Sequence, residues 1–245
     1  MTLSETIARK DPEFARFAAR CENDVHGCGS LDERTCALCV LAALIGLDET
    51  DEFASKLDEA LNGTLAPAEA REIVFLSAAF CGTPRAKRFL AAAGAVFAAR
   101  GVALPLPQQD EPSDAERREA GERVQIALFG EEVAAFWQSG SAETLCISRW
   151  ITENCYGSLY TRGGLSVKER ELLTFCFLTA LGETGTQLKA RVVAGYAAGN
   201  GPAEMAAAIA QIMPYTGWPR ALSALAALNE ADRELNDDGY DDDPF

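Results

Sequence analysis

One hexapeptide occurs twice in this chain, as CGTPRA at 81–86 and as TGWPRA at 216–221, 135 residues later. The likeness reaches further upstream. Pro67-Ala68-Glu69 and Pro202-Ala203-Glu204 keep the same offset, and Leu31-Asp32-Glu33-Arg34-Thr35 faces Leu165-Ser166-Val167-Lys168-Glu169 at an offset of 134, so one residue was gained or lost between. A chain that carries one unit twice is expected to fold into two like halves with a binding surface between helices.

The units read as helical. Alanine is abundant, β-branched runs are few, and no Asn-Gly or Asp-Gly turn separates alternating segments, which predicts an all-α fold. Asp32 is placed to cap a helix from about Glu33, a second helix covers about 49–62, and Pro67 suits the first turn of a third that runs to Phe80. Gly82 breaks that helix and Pro84 starts a fourth, to about Arg100. In the second unit, Ser166 and Glu169 form a capping box, Gly199 and Gly201 end one helix, and Gly217 and Pro219 repeat the break made by Gly82 and Pro84. The amphipathic segment ERREAGERVQIALFGEEVAAFW opens this unit. The expected organisation is a first repeat over 12–100, a proline-rich linker over 101–114, a second repeat over 115–235 and an acidic tail over 236–245.

A net charge of −15 argues against nucleic acid, because nothing neutralises phosphates, and against an anionic membrane surface. No run of about 18 uncharged apolar residues is available to span a bilayer. The first residues, MTLSETIARKDPEF, lack the apolar core of a secretion signal. The eight cysteines are therefore expected in a reducing cytoplasm, as buried thiols, metal ligands or redox groups.

Residues 115–230 resemble the γ-carboxymuconolactone decarboxylase family. The likeness is carried by GERVQIALFGEE, ITENCYGSLYTRGGLSVKERELLTFCFLTALGE, QLKARVVAGYAAGNGPAEM and YTGWPRALSALAALNEA. Residues 16–98 resemble a second, diverged copy. The resemblance implies the all-helical fold shared with alkylhydroperoxidase D and, for a tandem chain, a homotrimer that mimics a hexameric ring. Two positions depart from the family's pattern. Arg191 stands where the decarboxylase histidine is expected, with Lys56 at the matching place in the first repeat. The family acid is kept as Glu171, but its first-repeat counterpart is Ala37. The peroxidase CxxCxxxH pair is missing: its cysteine positions fall on Thr184 and Gln187, and on Glu49 and Glu52.

Three functions follow as expectations. The first is an enzyme that acts on a small anionic organic acid or lactone by proton transfer or decarboxylation, with no cofactor. Glu171 would be the acid/base group and Arg191 the carboxylate anchor, since a guanidinium binds a carboxylate in bidentate fashion but titrates too high to move protons. Arg162 and Lys56 are candidate substrate contacts, although a surface position is the blander reading of Arg162. The second is a thiol peroxidase or disulfide reductase that uses Cys36 and Cys39, a CxxC near a helix N-terminus. The third is a non-catalytic binding or assembly protein, favoured by the missing histidines. Zinc held among Cys21, His26, Cys28, Cys36 and Cys39 is a weaker idea, because the spacing matches no zinc pattern and Cys39 aligns with Leu173, so no metal is expected. Cys81, Cys146, Cys155 and Cys176 read as core, and Trp137, Trp150 and Trp218 as packing. Trp218 replaces Thr83 in the repeated hexapeptide. The second repeat is expected to hold the better pocket.

Overall fold

The structure, a computed structural model, describes residues 3–25, 28–109, 112–182 and 185–237, all helix, turn or coil. Ahead of the first repeat lies α1 (Leu3–Lys10), and the repeat itself contains α2 (Pro12–Val25), α3 (Glu33–Leu47), α4 (Thr50–Ala60), α5 (Pro67–Phe80) and α6 (Thr83–Ala99). The second contains α7 (Arg117–Phe129), α8 (Leu145–Trp150), α9 (Val167–Leu181), α10 (Thr186–Ala197), α11 (Pro202–Thr216) and α12 (Trp218–Asp237). A π-helical stretch, Ile151–Leu159, continues α8. Most of the acidic tail, along with His26 and Thr184, lies outside the described residues.

The local signals act as expected. Asp32 accepts the Thr35 amide at 2.7 Å. Ser166 accepts the Glu169 amide while the Glu169 carboxylate accepts the Ser166 amide, which satisfies two donors at the head of α9. Pro67 and Pro202 each open a helix whose first-turn glutamate reaches back to the residue before the proline. One segment departs from its pattern. The helix expected from 115 onward stops at Phe129, because Gly130 takes φ 92°, and only short 3-10 turns at 131–133 and 136–138 follow.

A single apolar core runs through both repeats. At its centre α3 lies on α9, and Gly46 leaves no room for a Cβ against Ala180 and the Phe177 carbonyl. From Arg170 to Ala180 every residue of α9 is buried, which explains why the helix shows no polar stripe. Helices α5 and α11 each touch both central helices, α4 and α6 cover the first repeat, and α10 and α12 cover the second. The linker is not a free tether: Leu106 packs on the core and its carbonyl accepts from Arg71 at 3.2 Å.

Candidate active site

Helix α9 carries Glu171 into this core with 0% exposure. The Tyr160 hydroxyl donates to Glu171 Oε1 at 2.5 Å. That proton is then committed, so the Thr174 hydroxyl donates to Tyr160, at 3.0 Å. From α10, Arg191 Nη1 reaches both carboxylate oxygens at 3.3 and 3.4 Å, and Nη2 donates to the Tyr156 hydroxyl at 3.1 Å. The guanidinium carbon sits 5.6 Å from the Phe80 ring and 5.4 Å from that of Phe129. Five elements thus converge: α9, α10, the π-helical stretch, and α5 and α7 behind. Glu171 and Arg191 meet, as the sequence led us to expect.

Electrostatics in the site follow from burial. Desolvation pushes the Glu171 carboxyl above the ordinary 4.5, against the opposing pull of Arg191 and the Tyr160 hydroxyl. Burial raises the Tyr160 and Tyr156 phenols, Glu171 adding to the rise, so both stay protonated. Desolvation would lower Arg191, but Glu171 and the tyrosines more than offset it, and the guanidinium stays charged. Arg191 is the partly exposed member, with 13% of its side chain accessible.

The π-helical stretch positions both tyrosines through a tight backbone crossing. A Cβ on Gly121 would run into the Thr152 carbonyl oxygen, and one on Gly157 into that of Arg117. Two glycines therefore let α7 and Ile151–Leu159 approach backbone to backbone. Tyr160 lies inside the site, buried.

Other expectations need correction. Arg162 is not a surface arginine. It is 8% exposed and forks onto Glu72 of α5, with Nε to Oε2 at 2.8 Å and Nη2 to Oε1 at 2.9 Å. Arg170 and Arg71 approach the same carboxylate at 3.6 Å, so Glu72, with 0% exposure, ties the repeats together. Two of the tryptophans are not packing residues: Trp150 is 60% and Trp218 68% exposed. Of the four cysteines read as core, Cys146 is exposed, Cys81 and Cys155 are half-buried, and only Cys176 is fully buried.

The CxxC thiols do not have the environment of a reactive pair. Cys39 is fully buried beside Cys176, whose hydrogen bond, with burial, holds the Cys39 thiol well above its ordinary value. Burial, with Cys39 next, pushes Cys36 to about 11. Reactive thiols are shifted the other way. Cys21 is half-buried and Cys28 exposed, its thiol donating to the Asp24 carbonyl. Among the described residues no three His, Cys, Asp or Glu side chains are grouped to hold a metal ion.

The first repeat holds a surprise. Lys56 does have a carboxylate: its Nζ donates to Glu22 of α2 at 2.8 Å and to Glu59 at 3.4 Å, and the Tyr215 hydroxyl donates to Glu22 at 3.1 Å. The register explains the exchange. At an offset of 134, Glu22 falls on Tyr156, and at 135 Phe80 falls on Tyr215. The acid lost at Ala37 has been replaced from a different helix. An open cavity of about 410 Å³ lies here, between the repeat expected to be the poorer and Gln211 and Tyr215 of α11. Glu22, Glu72, Tyr156 and Tyr215 went unnoticed in the sequence; the offset carried the signal for Glu22, Tyr156 and Tyr215, and nothing local did so for Glu72.

Two like helical units, each with a carboxylate–cation pair between helices, define a tandem protein of the alkylhydroperoxidase D-like all-α class. Both units match the carboxymuconolactone decarboxylase family, over residues 12–95 and again over 147–230. The chain belongs to that family. No curated protein matches it. Among the described residues no helix is long and apolar enough to cross a membrane.

Proposed function

We propose that the second repeat is a proton-transfer site for a small anionic organic acid or lactone, with decarboxylase-like chemistry. The observation that carries this reading is the Glu171 carboxyl, buried and shifted upward, held between the Arg191 guanidinium and the Tyr160 hydroxyl. In this reading Arg191 anchors the substrate carboxylate. Its contacts with Glu171 are long, so the guanidinium can turn to an incoming anion at small cost. Glu171 then loses its neighbouring cation, its proton affinity rises, and it takes up a proton from water that it can pass to the carbon from which CO2 departs. Tyr160 holds the carboxyl in place throughout. Substrate would enter past Arg191, between Phe80 and Phe129. This reading gives Arg162 and Lys56 no substrate contact, because each is held by its carboxylate at 2.8 Å, closer than the 3.3 Å between Arg191 and Glu171.

The test is Glu171→Gln. Turnover of the organic acid is expected to vanish while binding persists, and a variant with full activity would remove the assignment. A second reading, a non-catalytic binding or assembly protein, is favoured by the complete enclosure of Glu171. Ligand that binds through Arg191 and leaves unchanged would establish it. The thiol peroxidase reading retains little support, since both Cys36 and Cys39 are shifted away from thiolate; peroxide consumption lost in Cys36→Ser would restore it. Assembly as a homotrimer in a reducing cytoplasm completes the proposal, supported by exposed Trp218, Leu222 and Leu225 along α12 and by eight free thiols.

A further inference from the structure

We propose that the cavity of the first repeat binds a small organic cation, a primary amine of a few carbons. This is independent of the reading of Glu171 and Arg191. The cavity holds about 410 Å³, and its lining includes Glu22, Glu33 and Glu59 against Lys56 alone: three carboxylates to one ammonium, a formal −2. Lys56 is no free anchor for an anion, because Glu22 and Glu59 already accept from it and Tyr215 holds Glu22 from the far side. A carboxylate ligand would have to displace Glu22 while facing Glu33 and Glu59. An ammonium instead meets Glu33 and the second carboxylate oxygens of Glu22 and Glu59, with Lys56, already paired, as the cation it competes with.

The repeat register shows why the space exists. Ala37 stands where Glu171 fills the second repeat, and Cys36 where Arg170 does. Both small side chains line the cavity. With Val40 and Ala60 they supply an apolar wall beside the acids, which suits an alkyl chain that ends in an ammonium group. One unit therefore keeps its cation and closes around it, while the other has exchanged the acid's position and opened.

The test is an NMR titration of the full chain with butylamine and, as the matched anion, butanoate. Butylamine is expected to saturate one site per chain, with butanoate at least about tenfold weaker. Glu22→Gln should weaken butylamine about tenfold, whereas Lys56→Met, which removes the competing ammonium, should tighten it by about fivefold. Should Glu22→Gln disturb the fold, Glu33→Gln at the exposed mouth decides, with a weakening of about threefold expected. Butanoate binding as tightly as butylamine, or butylamine binding indifferent to the glutamate substitutions, overturns the proposal.

Discussion

At the residue scale, the function of the second repeat turns on how Glu171 is held. Tyr160 pulls its proton affinity down and burial pushes it up. Tyr160→Phe is therefore expected to raise it further and to move the basic limb of the pH–rate profile, where Glu171 loses its proton, to higher pH. A limb that stays in place would dissociate Tyr160 from the carboxyl. The same shift governs stability. The folded protein keeps the Glu171 proton at pH values where the unfolded chain has lost it, so this group's contribution is greatest at low pH and declines as pH rises from about 4.5 through the raised value. Denaturant titrations of wild type and Glu171→Gln should show the wild type losing ground over that window. Arg191 is less replaceable than its charge implies. Lysine cannot span Glu171 and Tyr156 together or lie flat between two rings, so Arg191→Lys should lower kcat/KM by about a hundredfold, most of it in KM if the guanidinium anchors substrate.

At the element scale, helix ends were legible and helix crossings were not. Asp32 and Ser166 are caps by residue type and spacing alone, and each is expected to cost about 1 kcal/mol when changed to alanine, measured by chemical denaturation. Proline and glycine marked α5, α6, α11 and α12 to within a residue or two, because fixed φ and missing donors act locally. The break at Gly130 was hidden by an amphipathic pattern that continues past it. The π-helical stretch was hidden altogether. Its cause is the contact between Gly121 and Gly157, which are 36 positions apart and carry no side chain to signal it. Gly157→Ala should destabilise by about 3 kcal/mol and displace Tyr156 and Tyr160, whereas Gly63→Ala, with open space around it but a positive φ, should cost less.

At the scale of the whole molecule, the two repeats are not two bodies. Helices α3 and α9 share one core, and Glu72 draws Arg71, Arg162 and Arg170 from both sides of the linker. Arg34 adds a second tie, donating to Glu69 of its own repeat at 2.6 Å and to Glu169 of the other. Glu72→Ala would leave guanidinium groups buried without their carboxylate and should cost about 3–5 kcal/mol. It should also leave a single unfolding transition; separate melting of two halves would contradict the shared core. The exposed row on α12 belongs to this scale too. Native mass spectrometry is expected to report a trimer, and Trp218→Ser with Leu222→Ser should shift it toward monomer.

The chain's own order of residues determined the helical class, the doubling, most helix ends and the two positions, 171 and 191, that face each other across α9 and α10. These are written locally, in caps, in prolines and in the register of one unit against its copy. Tertiary structure alone decided the rest: that Arg162 is sealed onto Glu72, that Lys56 recovers its acid from α2, that Trp218 faces outward, and that a cavity opens beside Lys56, between the first repeat and α11. Each depends on which surfaces of distant helices come together. The free energy that selects them is spread over a packed core and leaves no mark at any one position.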